Sequence, residues 1–122
     1  MVNNKYEGRV YFLALVRQMR DAQKQYFALR THEAKELAKG FEAIVDAEIS
    51  KGDAVLGERT EYKDRLYFFG IVKQARVYQK RYFATRSEEA KRMAIKLEHL
   101  VDAEIKAGDS WMQAQIQPEL FN

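Results

Sequence analysis

The stretch YFLALVRQMRDAQKQYFALRTHEAKELAKGFEAIVDAEISKGD, residues 11–53, decides the fold, because it recurs without a gap as YFFGIVKQARVYQKRYFATRSEEAKRMAIKLEHLVDAEIKAGD, residues 67–109. The two copies are identical at 23 of 43 positions. Internal repetition of this kind is the signature of stacked supersecondary units. We therefore predict a tandem duplication of one helical unit, with repeats at 1–56 and 57–109 and an apolar C-terminal tail at 110–122. Since one such unit would bury too little surface to be stable alone, the repeats are expected to fold together as a single domain.

Apolar residues in each copy recur at spacings of three and four, the period of an amphipathic helix. In the first half of the first copy they are Phe12, Leu15, Val16, Met19, Ala22, Tyr26 and Phe27. In the second half they are Ala34, Leu37, Ala38, Phe41, Ile44, Val45 and Ile49. Between the halves stands Thr31, matched by Ser87 in the other copy, and acidic residues follow both. This is the pattern of an N-cap that begins a second helix.

The predicted fold is all-α, with two helical hairpins forming a four-helix bundle. The joint at Arg30-Thr31 contains neither glycine nor proline, which leaves an alternative. In that alternative each copy is one continuous helix of roughly 65 Å at 1.5 Å per residue, and two long helices pack antiparallel. Both copies end in Gly-Asp, at residues 52–53 and 108–109, which predicts a C-terminal helix stop.

The charges favour the hairpin. Residues 11–30 carry a net charge of +3 and residues 31–53 a net charge of −3, and a basic half is again followed by a more acidic half in the second copy. Folding each copy back on itself would bring Arg20 level with Glu42, and Arg76 with Glu98. Exposed ion pairs contribute only about 0–1 kcal/mol each, so they would select the partner helix while burial of the apolar faces drives folding.

Composition excludes several classes of protein. The 122 residues include no cysteine, which rules out disulfides, thiolate metal sites and cysteine nucleophiles. Residues 1–10 lack the apolar core of a secretory signal and no apolar run approaches membrane-spanning length, so we expect a cytoplasmic protein without a membrane partner, or a virion-associated one if the source is a phage. The net charge of +3 is too small to imply nucleic-acid binding by itself.

Catalytic chemistry is not indicated. The two histidines, His32 and His99, occupy different positions in the repeat, which favours surface histidines over a shared catalytic or metal-binding role. Carboxylates at helical spacing occur, as in Glu42 with Asp46, but the Glu-x-x-His pairs of di-iron bundles are missing. No glycine-rich phosphate loop or dinucleotide fingerprint is present. We therefore expect no enzyme, no catalytic residues, no metal site and no cofactor.

One motif is shared by both first helices: Gln-x-Arg-x-x-Gln-Lys-x-Tyr-Phe-Ala-x-Arg, at residues 18–30 and 74–86. Basic and aromatic residues interleaved on one helix face are typical of nucleic-acid or nucleotide binding through phosphate contacts and base stacking. The candidate phosphate contacts are Arg20, Lys24, Arg30, Arg76, Lys80 and Arg86. In the alternative interpretation Tyr26 and Phe27 belong to the core, and Arg20 and Lys24 face the acidic helix.

The run Val-x-x-Met-Arg-x-Ala-Gln-Lys-x-Tyr-Phe-x-x-Arg, residues 16–30, is followed by Val-Asp-x-Glu-Ile. It resembles small uncharacterised helical proteins of anaerobic gut bacteria and their phages or mobile elements. The resemblance covers both repeats but not the linker or the tail, and Ala75 and Tyr78 depart from the pattern in the second copy. It implies a source for the chain and no mechanism.

These patterns favour a non-enzymatic helical protein-interaction or structural module, encoded by a phage or mobile element and self-associating. Its expected partner is another protein or a second copy of the chain. The candidate partner contacts are the apolar residues of the tail: Trp111, Met112, Ile116, Leu120 and Phe121. The alternative function is a nucleic-acid or nucleotide binder that uses the repeated basic and aromatic motif.

Overall fold

The computed structural model describes residues 4–56 and 63–116, and the side chains within 11–52 and 67–108. Four helices account for these residues: α1 (Asn4–Leu29), α2 (His32–Leu56), α3 (Lys63–Thr85) and α4 (Glu88–Ile116). Helix α1 packs along α2 and α3 packs along α4, so each repeat is a helical hairpin. The predicted all-α four-helix bundle is therefore confirmed, and the alternative of one continuous helix per repeat is wrong.

The second helix of each hairpin begins at the predicted N-cap. The backbone N–H of Ala34 donates to Thr31 Oγ1 at 3.2 Å, and that of Ala90 donates to Ser87 Oγ at 3.3 Å. Each hydroxyl satisfies an N–H group that has no partner within its own helix. Local side-chain chemistry therefore sets the start of α2 and of α4.

The residue before each cap reverses the chain without glycine. Arg30 has φ 57° and Arg86 has φ 58°, in the left-handed region where glycine is the usual choice. The Arg30 N–H donates to the carbonyl oxygen of Tyr26 at 2.7 Å, and the Arg86 N–H donates to that of Tyr82 at 2.6 Å. These bonds close the last turns of α1 and α3. Each arginine thus occupies a left-handed backbone conformation, which costs about 1 kcal/mol or more for a residue other than glycine.

The predicted helix stop at Gly-Asp is wrong, since α2 continues to Leu56 and α4 to Ile116. The two glycines instead allow the other hairpin to come close. A Cβ on Gly108 would lie 2.7 Å from Leu13 Cδ2, and one on Gly52 would overlap the ring of Phe69. These two positions need the small residue for packing between the hairpins.

Two further helical glycines, Gly40 and Gly70, predict a contrast in stability. A Cβ on Gly40 or Gly70 would meet no atom within 4 Å. Gly40→Ala and Gly70→Ala should each raise the free energy of unfolding by about 0.5–1 kcal/mol, because alanine loses less backbone entropy in a helix. Gly52→Ala should lose this gain by displacing Phe69. Urea denaturation of the three variants measures the difference, and equal effects at all three positions would contradict the packing role of Gly52.

The core lies between the four helices and is formed by the predicted apolar stripes. Its buried members are Leu15, Val16, Met19, Val45, Ile49, Ile71, Val72, Ala75, Leu97, Val101 and Ile105. Three residues expected on the buried faces, Phe27, Leu37 and Ile44, are exposed instead, because they lie at the end or the edge of those faces. No helix within the described residues is both long enough and apolar enough to cross a membrane.

Equivalent residues of the two repeats meet at the centre of the bundle. The rings of Phe12 and Phe68 contact edge to face with centroids 5.7 Å apart, and the Gln23 amide donates to Gln79 Oε1 at 3.1 Å. Since both pairs join α1 to α3 in the same order along the chain, these helices run parallel on either side of a local two-fold axis. The two hairpin turns therefore lie at the same end of the bundle.

Candidate functional site

A pair of arginines joins the two hairpins. Arg20 Nε donates to Asp102 Oδ1 at 2.8 Å and Arg20 Nη2 donates to Asp102 Oδ2 at 3.1 Å. Arg76 makes the same two bonds to Asp46, at 2.8 and 3.0 Å. Both arginines are buried, each being only 7% exposed. Two parallel bonds between a guanidinium and a carboxylate are the strong, directional form of this interaction.

Two glutamines complete the network across the axis. Gln23 Oε1 accepts from Arg20 Nη1 at 2.7 Å, and its amide nitrogen donates to Glu42 Oε2 at 2.8 Å as well as to Gln79. Equivalent bonds recur in the second repeat, among Arg76, Gln79 and Glu98. Among the described side chains, no buried nitrogen or oxygen lacks a hydrogen-bond partner. The polar centre is therefore fully satisfied, as a buried network must be if it is not to destabilise the fold.

The acidic partner of each arginine differs from the sequence-based expectation. Arg20 was expected beside Glu42 of its own hairpin, yet its carboxylate partners are Asp102 and, at 3.9 Å, Glu98 of the other hairpin. Arg76 likewise pairs with Asp46 and, at 3.5 Å, with Glu42. The reason is that Gln23 and Gln79 take the positions that bond Glu42 and Glu98 within each hairpin. The ion pairs thus connect the hairpins to each other.

The two central lysines of the motif also have acidic partners. Lys24 Nζ lies 3.2 Å from Asp102 Oδ2, and Lys80 Nζ lies 3.1 Å from Asp46 Oδ2, although both side chains are largely exposed. The structure therefore places four of the six candidate phosphate contacts in ion pairs: Arg20, Lys24, Arg76 and Lys80.

Electrostatics follow from these contacts. Burial alone would raise the pKa of Asp46, but the hydrogen bonds and charges of Arg76 and Lys80 outweigh burial and lower that pKa below its ordinary value. The pKa of Asp102 is lowered in the same way, by Arg20 and Lys24 against the effect of burial. Both aspartates are thus stabilised as carboxylates by the fold.

This shift predicts acid sensitivity. A carboxyl group whose pKa is lower in the folded chain stabilises the fold above its unfolded pKa of about 3.9, and the stabilisation is lost as pH falls through the folded pKa. The free energy of unfolding should therefore decline below about pH 4. In Asp46→Asn/Asp102→Asn it should be lower at pH 7 and decline less steeply in acid. Urea denaturation between pH 7 and pH 3 measures this, with Glu36→Gln as a control for loss of an exposed carboxylate.

A second constellation lies at the end of the bundle where both hairpins turn. The Arg30 guanidinium carbon is 5.6 Å from the ring centroid of Tyr26 and 5.1 Å from that of Phe27. The second copy has the same arrangement, with distances of 5.5 and 5.4 Å. These six residues are called the tip surface: Tyr26, Phe27, Arg30, Tyr82, Phe83 and Arg86.

The tip surface combines exposed phenylalanine rings with positive charge that has no acidic partner among the described side chains. Phe27 is 50% exposed and Phe83 is 51% exposed, so the prediction that Phe27 lies in the core is wrong. The other part of that interpretation, that Arg20 and Lys24 face an acidic helix, is confirmed, although the helix belongs to the other hairpin. No described carboxylate lies within 4.0 Å of Arg30 or Arg86. Both guanidinium groups lie over rings at distances typical of cation–π contacts.

The remaining candidate residues are placed as follows. Trp111, Met112 and Ile116 belong to the last turns of α4, but their side chains are outside the described part of the chain, as are Leu120 and Phe121 altogether. Both histidines are exposed, as the sequence predicted. Within the residues that the structure describes, no group of three or more histidine, aspartate or glutamate side chains could hold a metal ion.

The role of the glutamines was not predicted from the sequence, although a signal for it exists. Gln23 and Gln79 are identical in the two repeats and each stands four residues after an apolar core position, Met19 or Ala75. A polar residue kept in both copies on a buried stripe indicates a buried hydrogen-bond network.

Comparison with known proteins adds no relative to this description. No family model, no curated protein and no solved structure matches the chain.

Proposed function

We propose that this chain is a non-enzymatic helical module that binds a protein partner through the tip surface. The observation that carries the proposal is the pair of half-exposed phenylalanines, Phe27 and Phe83, each beneath an arginine that has no acidic partner within the part of the chain whose side chains the structure describes. Aromatic residues and arginine are the residue types most enriched among those that dominate binding energy in protein interfaces.

The backbone at the tip surface supports this proposal. Arg30 and Arg86 both adopt the left-handed conformation, where glycine would avoid the steric cost. The side chain at this position therefore offers something that glycine would lack. Strained positions of this kind concentrate at functional sites, and here the same strain occurs twice at one end of the bundle.

The contrast with the central ion-pair network also supports the tip surface as the binding surface. The charges of Arg20 and Arg76 are neutralised inside the bundle, so these residues hold the hairpins together. No carboxylate among the described side chains neutralises Arg30 or Arg86, so their charges are available to an external group. A partner that fits would insert an apolar side chain against Phe27 or Phe83 and place a carboxylate on the neighbouring guanidinium.

Affinity capture followed by binding of the purified pair tests this proposal. A partner retained by the native chain should be lost by Phe27→Ala/Phe83→Ala and weakened by Arg30→Gly/Arg86→Gly. Glycine preserves the turn because it adopts positive φ freely, so the second variant removes the guanidinium groups while keeping the backbone. The control is Ile95→Ala, which removes an apolar side chain of similar exposure, 44%, from α4. A partner that binds all variants equally would overturn the proposal.

A second candidate function is nucleotide or nucleic-acid binding, which the unneutralised Arg30 and Arg86 favour through phosphate contacts. Four of the six motif cations already have acidic partners, which weighs against this alternative. Labelled RNA, DNA and nucleotides at low and high salt distinguish the two functions. Binding that weakens steeply with salt and disappears in Arg30→Gly/Arg86→Gly would support phosphate recognition over a protein partner.

A further inference from the structure

Each hairpin contacts the other through the same face, and this face is complementary to itself. Hairpin 1 (residues 4–56) contributes Arg20, Gln23 and Asp46, and hairpin 2 (residues 63–116) contributes the identical residues Arg76, Gln79 and Asp102. Each contact occurs twice with the roles exchanged: an arginine of one hairpin pairs with an aspartate of the other, and the two glutamines pair with each other. An interface of this kind, with one patch used by both sides, is isologous and is characteristic of two-fold dimers.

Close packing across the same face follows the same rule. Gly52 of α2 receives Phe69 of α3, and Gly108 of α4 receives Leu13 of α1. Every one of these interactions joins hairpin 1 to hairpin 2, and none depends on both hairpins belonging to one chain. Hairpin 2 of a second copy would therefore offer hairpin 1 an identical surface.

We propose that this face binds the same face of a second copy of the chain, so that two chains exchange hairpins and form a closed dimer of two complete bundles. Hairpin 1 of each chain then packs on hairpin 2 of the other, and all ion pairs and glycine contacts are kept. Connection within one chain competes with this exchange, since a short linker gives an effective concentration on the order of mM. The dimer is accordingly favoured at high protein concentration. The inference concerns the hairpin face and does not rest on the tip surface.

Two full-length charge variants test the exchange. Variant A carries Arg20→Glu and Arg76→Glu, and variant B carries Asp46→Lys and Asp102→Lys. In the native bundle, Arg20, Lys24, Glu98 and Asp102 form a group with no net charge, and the second repeat has an equivalent group. Each group has a net charge of −2 in variant A alone and +2 in variant B alone. The net charge of each group returns to zero only where a hairpin of variant A packs on a hairpin of variant B.

Variants A and B are unfolded, mixed in equal amounts and refolded together, and their mass is measured by native mass spectrometry. The expected product is a 1:1 heterodimer with twice the mass of one chain, more helical and more resistant to urea than either variant alone. Recovery of separate monomers, or of unfolded chains only, would overturn the proposal. In the control, variant A is replaced by Lys35→Glu/Lys91→Glu, which reverses two exposed charges outside the ion-pair network. This control variant should form no heterodimer with variant B.

A measurement on the native sequence guards against variants that fail to fold. Isotope-labelled and unlabelled native chains are refolded together at concentrations near 1 mM, where exchange competes with the linker, and at a hundredfold lower concentration. A dimer of mixed mass should form at the high concentration and become rare at the low one. A native chain that stays monomeric throughout would also overturn the proposal.

Discussion

Replacing Met19 with alanine should lower the free energy of unfolding by about 3 kcal/mol, within the range for removing a fully buried large aliphatic side chain. Met19 is 1% exposed and belongs to the central apolar cluster. Alanine would forfeit the burial of the side chain and leave a cavity that the rigid helices close only in part. Urea denaturation followed by circular dichroism measures the loss.

A compensating change in the other repeat makes the prediction sharper. The residue equivalent to Met19 is Ala75, which is also buried. Both belong to the same buried cluster and lie between the Phe12–Phe68 pair and the Gln23–Gln79 pair along their helices. We therefore expect the large residue on α1 to complement the small one on α3. The double variant Met19→Ala/Ala75→Met keeps the total volume and should recover most of the lost stability.

The single variant Ala75→Met completes the cycle. It adds a second large side chain to the same space and should be destabilising by about 1–3 kcal/mol through overpacking. If the effects of Met19→Ala and Ala75→Met simply add in the double variant, the two residues do not share one space across the axis. In that case α1 and α3 would not pack against each other across the local two-fold axis at Met19 and Ala75.

The parts of the fold that were predictable depend on local chemistry. Apolar spacing places Val16 and Val45 on buried faces, and Thr31 with its following acidic residues marks a helix start. These signals need no knowledge of how the hairpins assemble. The pairing of Arg20 is different, because each repeat offers the same aspartate, at positions 46 and 102. Only the assembly decides which of two chemically identical partners lies beside the arginine.

Two further differences have physical reasons that the sequence hides. Gly-Asp resembles a helix stop, yet Gly52 lies inside α2 without a positive φ, and its missing side chain makes room for Phe69. The turn at Arg30 was predicted from its neighbours, but a left-handed arginine gives no compositional signal, since glycine is the usual residue there. The tip surface was partly predicted through the motif. The distinction between the exposed tip surface and the buried arginines, Arg20 and Arg76, becomes clear only when the burial of these side chains is known.

Breaking the ion pair between the hairpins should have the other large effect. Arg20→Met keeps the length and apolar stem of the side chain but removes the guanidinium. Asp102 then loses its two bonds from arginine, and Gln23 Oε1 keeps only the longer bond from the Gln79 amide, at 3.4 Å. Loss of one member of a buried pair costs about 3–5 kcal/mol. Because the Asp102 side chain is 29% exposed and retains Lys24, the expected loss in free energy of unfolding is nearer about 2–3 kcal/mol.

Two matched variants separate the contribution of the Arg20–Asp102 pair to stability from the contributions of neighbouring groups. Lys24→Met removes the other cation beside Asp102, but this lysine is 56% exposed, so the loss should stay below about 1 kcal/mol. Arg20→Met/Asp102→Leu removes both charges and should be less destabilising than Arg20→Met alone, since no unpaired carboxylate is left in the partly buried site. Urea denaturation at pH 7 ranks the three.

The ranking distinguishes two roles for the network. If Arg20→Met/Asp102→Leu is as stable as the native chain, the ion pair adds little net stability, and its contribution is to select which faces meet and in what register. That outcome would also leave the Arg76–Asp46 pair as the only arginine–aspartate pair between the described parts of hairpin 1 and hairpin 2, so the double variant should form a wider range of oligomers. If the double variant is instead less stable than Arg20→Met, the aspartate stabilises the bundle independently of Arg20. Lys24 would then be its principal partner, and the central role given to the arginine pair would be wrong.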